Sequence, residues 1–167
     1  FIVFHTIYHK PDIKISGKFI QKYLDIKKNS PYSEEAFKQI DEKLSALPFL
    51  STMQDSEVEF HENSADVYLY LQNQKANQLS GIVGFTNVNN KFLLTGKANF
   101  TFVNTLKNAD IIELEWQKTK QQTQNLTLYT SIPYLFSTSF GFDNKLYIEK
   151  IDSSYVSISD KFQLNYY

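Results

Sequence analysis

The chain of 167 residues contains no cysteine and no arginine. Without Cys there are no disulfides and no thiolate metal sites. That absence suits an exported protein as well as a cytosolic one. Without Arg, all 17 basic side chains are Lys, and the residue best shaped for bidentate phosphate or carboxylate recognition is missing. Charges are spread along the chain to a net of −1, so no basic face points to nucleic acid and no charge block to a disordered tail. Uninterrupted apolar runs fall far short of the ~18 to 20 residues that a membrane helix needs. Also missing are a Gly-rich phosphate loop, a Ser-His-Asp order and a nucleophile elbow, which argues against an enzyme. The chain opens on FIVFHTIYHK with neither initiator Met nor signal peptide and stops on NYY in mid-pattern, the look of a processed or excerpted chain.

What is abundant is aromatic. Phe, Trp and Tyr make up 16% of a chain that is otherwise polar. A membrane barrel accounts for both properties, because its apolar residues face outward while its interior stays wet.

The first 75 residues predict a small α+β unit. FIVFHTIY, β-branched and aromatic, predicts a strand. Ser16 is placed to cap a helix SGKFIQKYLDI, with Phe19, Ile20, Tyr23 and Leu24 on one face. Ser33 is the N-cap of a second helix, with Glu34 and Glu35 in its first turn favoured by the helix dipole. In it Phe37, Ile40, Leu44 and Leu47 step by three, four and three, one apolar stripe, and Pro48 ends it. Two strands are expected next, STMQDSEVEFHE and ADVYLYLQ. In the latter Val67, Leu69 and Leu71 alternate with Asp66, Tyr68 and Tyr70. A β-α-α-β-β unit buries one core between helices and sheet.

Residues 1–75 resemble a POTRA domain, the polypeptide-transport-associated module. The resemblance is carried by YLDIKKNSPYSEEAFKQIDEKLSALPFL, which is similar to that module's turn into its second helix and the approach to its second strand.

At NQLSGIVGFTN the pattern changes. LSGIVGFTN is followed by KFLLTGKANFTFVN, ADIIELEWQKT, QNLTLYTSIPYLF, TSFGFDNKLYIEKI and YVSISDKFQLNYY. Phe92, Leu94, Gly96, Ala98, Phe100 and Phe102 share one face, opposite Thr95, Lys97, Asn99 and Thr101. Ile112, Leu114 and Trp116 oppose Glu113 and Glu115. Six strands are predicted, several near the ~9 to 11 residues of a tilted membrane strand. A water-soluble sandwich accepts the same alternation as a membrane barrel, and periodicity alone does not separate them.

The order of parts is more specific. A POTRA-like unit, a link QNQKANQ, a Gly-containing first strand, and IPYLFSTSFGFDNKLYIEKIDSSYVSISDKFQLNYY together resemble the BamA/TamA superfamily of outer-membrane barrel insertases. The resemblance implies two domains: residues 1–75, POTRA-like and periplasmic, and residues 76–167, the first antiparallel transmembrane strands of a β-barrel, about six of a larger one. Members have about sixteen strands, six cannot close, and the family's Arg-bearing loop motif has no counterpart here; both departures fit an N-terminal portion of the barrel. The implied function is non-enzymatic outer-membrane protein assembly and insertion, or translocation, in the bacterial outer membrane. The implied partners are outer-membrane lipid, unfolded client outer-membrane proteins and periplasmic or lipoprotein accessory subunits, with no nucleic acid, no cofactor and no metal.

Candidate residues follow. In the family, strand one forms a weak lateral seam that opens to template client strands, which assigns that role to Leu79, Ser80, Gly81, Ile82, Val83, Gly84 and Phe85. Two glycines weaken a strand's hold on its neighbour, and an exposed edge is a template for pairing. The plainer alternative is that Gly81 and Gly84 only relieve crowding at a barrel bend. Glu57, Val58, Glu59 and Phe60, within an exposed strand Phe49 to His61, are expected to take clients by β-augmentation. Leu94, Phe100, Phe102, Leu114 and Trp116 are expected to face lipid.

His5 and His9 lie ~13 Å apart along a strand, and are expected to be surface histidines. His61 with Glu59 and Glu62 reads as a polar strand end, and Glu113 with Glu115 as a wetted barrel wall rather than a glycosidase pair. The competing function, from another class, is a water-soluble α+β/β-sandwich binding module that holds sugar or peptide on Tyr and Phe surfaces. A dedicated secretion pore for one client is a third. With the POTRA unit in the periplasm, VNNK, KTKQQTQ and IDSSY are expected outside, and TLKNA and SIPYLFSTS on the periplasmic side.

Overall fold

The computed structural model describes residues 1–88, 90–120, 122–151 and 155–167. The expected loops VNNK, KTKQQTQ and IDSSY include residues 89, 121 and 152–154, which lie outside the described residues.

The N-terminal stretch builds small sheets around helices. β1 (Val3–His9) runs parallel to β4 (Ser64–Leu69), whose other side pairs antiparallel with β3 (Glu57–Phe60), giving the order β1-β4-β3. β2 (Leu50–Thr52) pairs antiparallel with β5 (Leu71–Asn73) as a separate two-stranded sheet. The expected single strand from Phe49 to His61 is therefore two strands. Asp41 explains the break: its carboxylate accepts the Ser56 N–H at 2.9 Å and the Ser56 hydroxyl at 2.6 Å, pulling the chain out of line between β2 and β3.

The helices are α1 (Gly17–Tyr23), α2 (Glu34–Lys38) and α3 (Ile40–Ser45). Ser33 caps α2 as expected, its hydroxyl accepting the Ala36 N–H at 3.2 Å. The long second helix is divided at Gln39, which keeps right-handed angles (φ −84°, ψ −7°), so the apolar stripe passes across the division. Ile40, Leu44 and Leu47 are buried and Phe37 packs partly buried against them. Ser16 precedes α1 but makes no side-chain cap. Its N–H instead donates to the carbonyl of Lys107, 3.0 Å away on a later turn. Phe19, Ile20 and Leu24 enter one core with Phe4, Val67 and Leu71. Burying each of these side chains stabilises the unit by roughly 1.5 to 3 kcal/mol.

Residues Gln74 to Asn77 connect β5 to β6, a shorter link than QNQKANQ because Gln72, Asn73 and Gln78 lie in strands. The remainder is one antiparallel sheet: β6 (Gln78–Val88), β7 (Lys91–Val103), β8 (Ile111–Lys118), β9 (Thr123–Ile132), β10 (Phe140–Ile151) and β11 (Tyr155–Tyr166), in consecutive order. The sheet is not closed; β6 and β11 are its two edges. None of the helices among the described residues is long and apolar enough to cross a membrane, a statement that concerns helices alone.

Two turns fasten the sheet to the helical unit. After β7, the fully buried Asp110 accepts the N–H groups of Thr105 (2.9 Å) and Leu106 (2.7 Å), and Asn104 reaches across to donate to the carbonyl of Lys14. After β9, Tyr134 stands edge-on to Phe19 with ring centres 5.6 Å apart, and Lys22 donates to the hydroxyl of Ser139. Tyr167, just past β11, lies 5.0 Å from Tyr134. Asp110 and Asn104 carry no sequence motif of their own; a polar turn bracketed by Asn and Asp is the only signal they leave.

Candidate functional site

β6 is held from one side. Its residues pair with β7 from Gln78↔Thr101 to Val88↔Lys91, and among the described residues its outer edge has no partner strand. Leu79 and Ile82 are 72% and 73% exposed, and Ser80, Gly81, Val83 and Phe85 are also exposed. A free row of N–H and C=O groups with apolar side chains above and below is what another strand needs for pairing.

The glycines separate on inspection of their surroundings. Both have ordinary negative φ. A Cβ on Gly81 would sit 3.0 Å from the Lys97 carbonyl oxygen on β7, so crowding accounts for that glycine. At Gly84 the one close atom is the Thr95 hydroxyl at 3.1 Å, which a side-chain rotation relieves. The glycine under greatest steric demand is Gly96 on β7, where a Cβ would lie 2.6 Å from the Ile82 carbonyl oxygen. In the sequence Gly96 is marked only by its place on the apolar face of its strand.

Register sorts the sheet into two faces, because directly paired residues point the same way. Leu79, Phe100, Leu114, Leu128 and Leu146 form one row across five strands. Gly81, Ala98, Trp116, Leu126, Ile148 and Ile158 form the next. Phe102 pairs with Ile112, and Leu94 with Phe85, on the same face. The opposite face runs Gln78, Thr101, Glu113, Tyr129, Lys145 and Lys161. Glu115 on that polar face pairs with Lys97 at 3.1 Å. Polar residues interrupt the apolar face as well: Asp160 extends the first row, and its carboxylate accepts at 2.6 Å from the amide of Asn144, which stands on the same face.

β3 is the second edge, carrying Glu57, Val58, Glu59 and Phe60 on the rim of the three-stranded sheet. Its acidic side chains are tied inward: Tyr68 donates to Glu59 and Tyr70 to Glu57, each at 2.8 Å. The Glu59 hydrogen bond, with burial and that carboxylate's charge, pushes the Tyr68 phenol up to about 12. Phe60, half exposed, stacks edge-on to Tyr32.

His5 and His61 are exposed, the former as expected, but they share one partner. Both donate to Asp66, at 2.9 Å and 3.2 Å, one to each carboxylate oxygen. His5 reaches it because β1 bulges between Phe4 and Thr6, leaving His5 outside the register. Burial pushes the Asp66 carboxyl up, but the hydrogen bonds and charges of the two histidines outweigh that and hold it below its ordinary value. A carboxylate in the middle strand of a sheet needs partners, which was the available signal; the bulge that supplies His5 was not visible. Among the described residues there is no cluster of three or more His, Cys, Asp or Glu placed to hold a metal.

These features define a class: the chain has the fold of part of a BamA-type β-barrel protein. Two solved structures show it. The chain is similar to BamA from Haemophilus ducreyi lacking POTRA domains 1–3, with a TM-score of 0.70 and 13% identity, over 98% of this chain. It is also similar to CdiB from Acinetobacter baumannii, with a TM-score of 0.51 and 16% identity, over 97% of this chain. It spans about a third (32%) of the length of either. No protein-family model and no curated protein sequence matches it.

Proposed function

We propose that this chain is the N-terminal part of an outer-membrane protein assembly or translocation component of the BamA/TamA superfamily. Residues 1–75 act as a POTRA-like domain in the periplasm, and residues 76–167 are the first strands of the barrel. The protein is non-enzymatic. Its clients are unfolded outer-membrane proteins, whose strands pair with β6 over Leu79 to Phe85 and with β3 over Glu57 to Phe60. Leu94, Phe100, Phe102, Leu114 and Trp116 meet lipid.

The observation that carries this reading is the position of β6. It follows the α+β unit directly, opens the sheet, and leaves an apolar strand edge without a partner among the described residues. The soluble binding-module reading requires two stacked sheets, whereas β6 to β11 form one.

The test is a lock. In the complete barrel, an engineered disulfide joins β6 to the strand that closes against it, and folding of a client barrel is followed in proteoliposomes. The locked protein is expected to lose assembly activity and reduction to restore it. Assembly at the unlocked rate would overturn the seam and leave Gly81 and Gly84 as packing residues.

A further inference from the structure

A cleft of about 830 Å³ opens where the helical unit meets the end of β7, within the roughly 300 to 1,000 Å³ range of small-molecule sites. Its charged lining is of one sign. Lys14, Lys75 and Lys107 border it, no Asp or Glu does, and none of the three lysines belongs to an ion pair among the described residues. In a chain whose net charge is −1, three uncompensated cations around one opening are a local concentration.

The lysines are held there by backbone. The Lys14 N–H donates to Asn73 at 2.8 Å, and its carbonyl accepts from Asn104. The Lys107 carbonyl accepts from Ser16 at 3.0 Å. Lys75 enters on the link to β6. Thus two cations are anchored on opposite sides of the junction between unit and sheet, and the third arrives from the connecting segment. One wall is apolar, and it includes Phe102, which is 42% exposed on the sheet's apolar face beside the turn.

We infer that this cleft binds the headgroup of an anionic glycerophospholipid from the adjoining leaflet, its phosphate among Lys14, Lys75 and Lys107 and the start of its acyl chains along Phe102. The inference rests on the outer-membrane reading. Position selects lipid: the cleft lies at the level where the sheet's apolar face ends, so a headgroup reaches the cations while its tails stay on that face. Lys suits the ligand because an ammonium binds phosphate as a point charge without a fixed fork.

The experiment uses the full-length protein in a neutral detergent and measures binding of four probes by native mass spectrometry: dihexanoyl phosphatidylglycerol, dihexanoyl phosphatidylcholine, inorganic phosphate and a hexaglutamate peptide. Phosphatidylglycerol is expected to bind best. The combined variant Lys14→Gln, Lys75→Gln, Lys107→Gln is expected to lose about 100-fold in that affinity, given the pull of each lysine on anionic lipid. Lys91→Gln with Lys118→Gln and Lys150→Gln, the same charge change at the far end of the sheet, is expected to bind as the parent does. Equal binding of phosphatidylcholine, tighter binding of phosphate (a free-anion site), tighter binding of hexaglutamate (an acidic protein partner), or full affinity in the first triple variant would each overturn the inference. If the protein stays dispersed in buffer without detergent, the outer-membrane reading fails and the lipid site with it. If it needs detergent and phosphatidylglycerol does not bind, only the lipid site fails.

Discussion

Asp66 shows how a single residue couples the stability of the N-terminal unit to pH. Its folded carboxyl is held below the ordinary 3.8 of an aspartate, despite burial, by His5 and His61. A depressed carboxyl contributes stability that is fully present above the unfolded value and is lost as pH falls through the folded one. Chemical denaturation between pH 5 and the onset of acid unfolding is therefore expected to show stability falling from about pH 4 downward. Asp66→Asn should flatten that slope. An unchanged slope in the Asn variant would assign the acid sensitivity to other carboxylates. Leu44, fully buried at the centre of the helix stripe, gives the second expectation at this scale. Leu44→Ala should cost roughly 2 to 5 kcal/mol in urea unfolding of residues 1–75; a loss below about 0.5 kcal/mol would place the stripe outside the core. Leu44 was legible in sequence because local periodicity fixes which face it occupies. The His5 partner of Asp66 was not, since it depends on a bulge in β1 and a pairing across some sixty residues.

Among the elements, the long strands were the most legible and the short ones the least. In β7, thirteen residues of alternation leave one phase compatible with a single apolar face. In the segment Phe49 to His61 two short strands join different sheets, and what divides them is Asp41, a helical residue fifteen positions away from Ser56. The rows through Leu79, Phe100 and Leu114 turn the faces into an experiment. Lys at Leu114 should cost ~2 to 4 kcal/mol if that residue lies near the bilayer midplane. Lys at Glu113, on the face of Thr101 and Lys145, should be tolerated. Reversible folding of the complete barrel into lipid vesicles measures both, and equal tolerance would favour a water-soluble sheet. The close packing of β6 on β7 was legible only in part: Gly81 and Gly84 stand out in the sequence, while among the glycines of the pair an added Cβ would be most crowded at Gly96.

For the whole molecule, placing residues 1–75 in the periplasm fixes the sides of the turns, because β6 starts where that unit ends. A tag inserted at Gln122, between β8 and β9, is expected to be reachable from outside intact cells, and one at Asn108, between β7 and β8, to be protected. Antibody labelling of intact and permeabilised cells separates the two, and the reverse pattern would invert the orientation.

The fastening of unit to sheet also sets a path for mechanical load. The contacts run through the turn after β7, where Asn104 and Lys107 meet Lys14 and Ser16, and through Tyr134 and Ser139 after β9, where Phe19 and Lys22 sit. A torque on the helical unit therefore enters the sheet at β7, β8, β9 and β10. The edge strand β6 joins that block through its ladder with β7, from Gln78↔Thr101 to Val88↔Lys91, and through Asn77, which accepts the Val103 N–H at 2.9 Å. It is first in sequence after the unit, yet load reaches it mainly through β7, while its outer edge has no partner strand among the described residues.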